Sequence, residues 1–108
     1  MDLIEFSQNW NNKLDCEFHV TISIHNQNRY FKGNRFKQTI NKVDKNIVEV
    51  VDTIPYLLHK IPSLIFMLDT GFDKIEAIRL YETMYRNKNF DYNTQLFDIV
   101  VFKIVKRL

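Results

Sequence analysis

In the run from Phe18 to His25, His19, Thr21, Ser23 and His25 alternate with Phe18, Val20, Ile22 and Ile24. A period of two puts the four polar side chains on one face of a strand and the four apolar ones on the other. Two imidazoles beside two hydroxyls could hold a metal ion or make a nucleophile and its base. The metal reading fails on distance, because His19 and His25 lie ~20 Å apart along an extended strand. A His–zinc bond is only ~2 Å, and His59 is the sole remaining histidine, so no metal site is assigned. For Thr21 or Ser23 as nucleophile, His19 is the nearest base by spacing, but no carboxylate can be identified to orient it. The face therefore reads as a hydrogen-bonding surface open to water or a groove, with Phe18, Val20, Ile22 and Ile24 turned to the core.

The second concentration of chemistry is charge. Residues 29–45 carry Arg29, Lys32, Arg35, Lys37, Lys42 and Lys45 against Asp44 alone, a local charge of +5 in a chain whose net charge is +2. Residues 1–28 carry −3. The basic side chains are interleaved with Tyr30, Phe31 and Phe36, a pattern that can serve nucleic-acid binding. An ordinary hairpin with solvated Lys and Arg on its outer face gives the same composition, since basic edge strands also deter aggregation.

These residues need a scaffold, and the chain can supply one. With 108 residues, 45% of them hydrophobic and 14% aromatic, it suffices for a single packed domain over 1–108. Cys16 has no partner for an internal disulfide, which suggests a reducing, cytoplasmic setting. No apolar run approaches the ~18 residues of a membrane span, and the opening residues lack the pattern of an export signal. No cofactor is implied.

Leu3 to Phe6 reads as a first strand and Ser7 to Asn12 as a turn anchored by Trp10. Phe18 to His25 is the clearest strand, and Arg35 to Ile40 and Asn46 to Val51 form a pair joined around Asn41 to Lys45. Pro55 and Pro62 signal a change of structure, with a short helix over Ser63 to Leu68. Asp73 caps the main helix, with Glu76 completing a capping box, and Gly71 supplies a tight position ahead of it. Glu82 and Arg86 are spaced for an i, i+4 pair on that helix. Leu96 to Val105 is a nearly continuous apolar strand, central and buried on both faces. A helix-turn-helix is disfavoured because Asp73, Lys74 and Glu76 would meet phosphates with two negative charges in three. The class is α+β, with a small curved sheet or partly closed barrel.

The order of features resembles a family. An early strand carries Thr21, Tyr30 to Gly33 form a Tyr-Phe-Lys-Gly turn, Leu68 to Phe72 open a helix ending at Met84-Tyr85, and Thr94 to Phe97 enter the last strand. This resembles the ASCH domain, a PUA-like β-barrel. The resemblance implies a partly closed barrel of about five or six strands, with one main and one short helix packed on it, and a cleft associated with RNA or modified nucleosides. In the family's diagnostic stretch, Gly-x-Lys-x-x-Thr-x-Arg, this chain keeps Thr21 but has Phe18 at the Lys position and Ser23 at the Arg position. Members resembling an acetylcytidine amidohydrolase use that Lys, that Thr and an acid near the helix entrance, where Asp69 lies here. Lys13 is the only upstream lysine, and it could supply the amine only if Asn11 to Glu17 folds back over the strand.

The leading expectation is thus a binding module that recognises RNA or a modified nucleotide through Thr21, Ser23, Arg29, Lys32, Arg35 and Lys37. The alternative is a degenerate amidohydrolase of an acylated nucleoside with Thr21, Asp69 and Lys13 as its candidate residues. A protein-interaction domain, its basic hairpin meeting an acidic protein, is a third. The layout also predicts that Asp69, Thr21 and Lys13 surround one concavity beside Gly71.

Overall fold

Residues Leu96–Arg107 form a strand whose only polar side chains between Leu96 and Val105 are Asp98 and Lys103, and the rest of the molecule is hung on it. The structure, a computed structural model, describes residues 1–108. Numbered in chain order, the strands are β1 (Asp2–Phe6), β2 (Phe18–Ile24), β3 (Arg35–Ile40), β4 (Val43–Leu57) and β5 (Leu96–Arg107). A 3-10 turn, Trp10–Asp15, joins β1 to β2, and a second, Leu58–Lys60, leads to helices α1 (Ser63–Thr70) and α2 (Lys74–Met84). The five strands make one sheet in the order β1-β3-β4-β5-β2, with β1 and β3 parallel and the other neighbours antiparallel.

Irregularities at Gln38/Thr39, Ile47/Val48 and Val50/Asp52 bend the long strands, as bulges do by adding local twist. The sheet curls until its edges, β1 and β2, approach each other, giving the expected α+β half-barrel. Two cores result. Inside the curl lie Tyr30, Phe36, Val48, Val50, Val100, Phe102 and Ile104; outside it, Ile22, Phe97 and Ile99 pack under Phe66, Ala77 and Tyr81 of the helices. Each fully buried side chain of this size stabilises the fold by ~1.5–3 kcal/mol. No helix is long and apolar enough to cross a membrane.

The helix starts follow local chemistry. Asp73 accepts a hydrogen bond from the Glu76 amide at 2.9 Å and caps α2. Gly71, at φ 80°, ends α1 in the left-handed region that glycine occupies without a steric cost. The β3–β4 turn is Asn41-Lys42, both at positive φ, the geometry that matches a two-residue hairpin to strand twist.

Three expectations need correction. The β2 faces are not core and solvent: His19 and Thr21 are buried against Phe102 and Val100 inside the curl, whereas Phe18 is 54% exposed. Curling the sheet turns the polar face inward, which alternation along one strand cannot reveal. Pro55 does not end a strand, for β4 runs to Leu57. His25 donates its amide hydrogen to Leu96, so the alternation of the ladder directs the Asp98 backbone to β2. Pro55, opposite Asp98, then has its nitrogen on the free side of β4, where no donor is needed. Finally, α2 stops at Met84, leaving Arg86 beyond it, and the pair on its exposed face is Arg79–Glu76.

Candidate active site

The site begins in a turn with unusual backbone demands. Asn11 and Asn12 both adopt φ 55°, a left-handed conformation that asparagine tolerates better than most residues. The turn is tied on every side. Leu14 donates its amide hydrogen to Asn9 Oδ1 at 2.9 Å, Asn46 donates to the Leu14 carbonyl at 3.1 Å, and Asn11 donates to the Met67 carbonyl at 3.2 Å. A Cβ on Gly71 would stand 3.3 Å from Asn11 Oδ1, so the glycine also lets the turn lie against the end of α1. His19, from inside the curl, adds a bond to the Cys16 carbonyl at 3.0 Å. Because that carbonyl can only accept, Nδ1 carries the proton, and Nε2 accepts from the Gln38 amide at 3.0 Å. Burial holds the His19 pKa below its ordinary value, consistent with a neutral ring.

What this turn delivers is Lys13, 3% exposed. Its ammonium donates to the Val20 carbonyl at 2.9 Å, to Thr21 Oγ1 at 3.1 Å and to the Asp69 carboxylate. The Phe6 ring lies 5.4 Å from Nζ. Asp69, on the last turn of α1 and 2% exposed, also accepts from the Tyr81 hydroxyl. Four side chains from four elements thus converge: Lys13 from the turn, Thr21 from β2, Asp69 from α1 and Tyr81 from α2.

Burial is the dominant cause of the electrostatics here. It lowers the Lys13 pKa, against a smaller opposing pull from Asp69, and with the Asp69 charge it pushes the Tyr81 phenol well above its usual range. A lysine held this way gives up a proton more readily than one in water, and it touches a hydroxyl.

Above the cluster is a cavity of about 170 Å³, lying in the gap between β1 and β2. It is lined by Ile4 and Phe6 of β1, Thr21 and Ser23 of β2, Lys13 and Asp69, with Trp10 and Tyr85 supplying aromatic surface. A larger hollow of about 260 Å³ lies on the other side of Lys13, lined by Phe18, Val20, Leu68 and Val101. Neither Thr21 nor Asp69 borders it, so the chemistry belongs to the smaller one.

The expected concavity around Asp69, Thr21 and Lys13 is therefore observed, and the turn does fold back over β2. Tyr81 is a site residue that the sequence does not announce; nothing in its spacing marks a phenol that reaches Asp69. Ser23 borders the same cavity. The basic segment is elsewhere and largely engaged. Arg35 pairs with Glu49 at 3.1 Å, Lys37 with Asp44 at 3.3 Å, Arg29 with Asp2 at 3.5 Å, and Lys45 with Asp15. Lys32 and Lys42 have no acidic partner. Arg29 also donates to the Leu3 carbonyl and stacks over Phe36 at 4.9 Å.

No family model matches the sequence, and no curated protein matches it. Solved structures do. The fold is similar to that of an Enterococcus faecalis V583 protein of family DUF984, with a TM-score of 0.71 at 12% identity over 99% of this chain and 81% of that one. It is also similar to an ASCH domain from Lactobacillus crispatus JV V101, with a TM-score of 0.66 at 14% identity over 97% and 79% of the two chains. At these identities the likeness is one of fold, and that fold, similar to an ASCH domain's, is the one the order of features in the sequence leads us to expect.

Proposed function

We propose that this chain is an amidohydrolase of a small N-acylated heterocyclic amine, of the acylated-nucleoside kind, with Thr21 as nucleophile. The observation that supports it is the 3.1 Å contact between Lys13 Nζ and Thr21 Oγ1, made by an ammonium that also touches Asp69. Burial lowers the Lys13 pKa, so the free amine that can act as a base is more accessible here than on a solvated lysine. Thr21 Oγ1 then adds to the acyl carbonyl while its proton goes to Lys13 Nζ. The proton returns to the amine nitrogen as the C–N bond breaks, and the amine leaves. Water attacks the acyl-threonine ester, its proton again taken by Lys13, and the acid departs as Thr21 regains its hydrogen. Tyr81 keeps the second oxygen of Asp69 occupied, so the carboxylate stays turned to Lys13.

The test is incubation with N4-acetylcytidine, following release of cytidine. Thr21→Ala and Lys13→Met should each lose turnover by at least about 10²-fold, while Arg79→Ala, on the exposed side of α2, should not. Turnover that survives Thr21→Ala would exclude the nucleophile assigned here. Recognition of a modified nucleotide without turnover is the second reading, supported by Trp10 and Tyr85 beside the cavity. Under it, any RNA contact falls to Lys32 and to the paired Arg29, Arg35 and Lys37, and should weaken steeply with salt.

A further inference from the structure

One polar cluster has no part in the chemistry above. Along the inner face of β2, Thr21 is followed by Ser23 and then by His25 just past the strand end, at ~7 and ~13 Å by strand geometry. Opposite Ser23 on β5 is Asp98, 2% exposed. Its Oδ1 accepts from His25 Nδ1 at 2.7 Å and its Oδ2 from the Asn26 amide at 2.9 Å. A buried carboxylate thus fixes the imidazole with one oxygen and the start of the turn after β2 with the other. Since Nδ1 donates to it, Nε2 is the free nitrogen, and it has no partner in the protein. The His25 side chain is 36% exposed. The Ser23 hydroxyl, one strand repeat (~7 Å) back from His25, is equally unpartnered and borders the cavity, as His25 does not.

We propose that Ser23, which borders the cavity, and His25, which lies one strand repeat beyond the cavity lining and is held by Asp98, form a second polar subsite at the end of this cleft that takes the hydroxyls of a sugar carried by the group bound at Thr21. This deepens the reading of the cleft as the site of an acylated heterocyclic amine and rests on it. Hydroxyl groups suit the two side chains, because each hydroxyl can donate to Nε2 or to Ser23 Oγ and can accept from Ser23. A phosphate does not suit them, because Asp98 places a carboxylate directly behind His25. One planar ring bridges the ~7 Å between Thr21 and Ser23, so a heterocycle with its acyl amine at Lys13 would extend its sugar to this end.

Titration calorimetry with cytidine, cytosine and cytidine 5′-phosphate tests the subsite without requiring turnover. The intact protein should bind cytidine at least about tenfold more tightly than cytosine, the size expected for hydrogen bonds made only by the sugar. Ser23→Ala and His25→Asn should bring that ratio close to one, with cytosine affinity unchanged. Thr21→Ala should keep the ratio, so loss of hydrolysis and loss of sugar recognition are separate outcomes. Equal affinity for cytidine and cytosine in the intact protein, a ratio unmoved by both substitutions, no binding of cytidine, or tighter binding of the 5′-phosphate through His25 would each overturn the inference.

Discussion

The basic segment and the Lys13 turn invert what their charges suggest. Six cations between Arg29 and Lys45 give the sequence its most conspicuous feature, yet four of them meet acids at or near the surface, with contacts as long as 3.5 Å. Lys13 stands alone in a locally acidic stretch, and it is the cation that the fold buries, gives three hydrogen-bond partners and places beside a hydroxyl. An exposed ion pair is worth ~0–1 kcal/mol because water screens both partners. A buried one is held by the cost of leaving either partner alone. Charge density read along the chain thus locates neither strength nor chemistry; convergence from several elements does.

The sharpest way to break this contrast is to remove the counter-ion at each place. Asp69→Asn leaves Lys13 and its desolvated charge without a balancing carboxylate, and should cost ~3–5 kcal/mol of stability in denaturant titrations. Glu49→Gln, the matching change at Arg35, should cost less than ~1 kcal/mol. Adding Lys13→Met to Asp69→Asn should recover part of the larger loss, since the stranded charge is gone. Equal losses for Asp69→Asn and Glu49→Gln would erase the distinction between the two regions.

Tyr81→Phe is expected to be next in size. It removes the hydroxyl that donates to Asp69 and leaves one buried oxygen without a donor, a loss of ~1–3 kcal/mol. Because the ring remains, packing against Phe66 and Tyr85 is preserved. A positioning role would appear as a fall in kcat with KM little changed, a split that general destabilisation does not give.

How far these regions could be read beforehand differs for a physical reason. Strand periodicity, the Asp73 cap, the Gly71 position and the apolar β5 are local, and they placed most elements within a few residues. The order of features also led to the half-barrel. What local pattern could not convey was curvature. Whether the His19 and Thr21 face meets water or the inside of a curl depends on bulges in β4 and β5, far along the chain. The same holds for Lys13, whose reach to Thr21 needs two left-handed asparagines and bonds from Asn46 and Gly71's neighbourhood. Tyr81 and the His25–Asp98 pair were illegible because their partners are 12 and 73 residues away. The charge pairing of the basic segment was missed likewise, since Asp2, Asp15 and Glu49 come from outside it.

The pH dependence of turnover separates the two kinds of lysine further. Burial lowers the Lys13 pKa below the ordinary 10.5, so the free amine needed as base appears at lower pH than for a solvated lysine. Turnover of N4-acetylcytidine should therefore rise with pH and level off before 10.5. A rate still rising in proportion to hydroxide beyond that point would mean that Lys13 is not the base.

The smallest expected effect lies at His19, which supports the turn from behind. Its pKa is depressed in the folded protein by burial, from an ordinary value of 6.5. Below about that value the unfolded chain binds a proton that the folded one resists, so the stability His19 contributes is intact above it and is lost as pH falls toward the folded pKa. Protonation would also force Nε2 to donate, so the Gln38 side chain must turn its oxygen to the ring in place of its amide. Melting temperature should thus fall as pH drops below about 6.5, and His19→Gln should flatten that part of the curve. Acid-dependent loss that persists unchanged in the variant would assign it to carboxylates instead, and with it the surface ion pairs, not the buried turn, would set the acid limit of the fold.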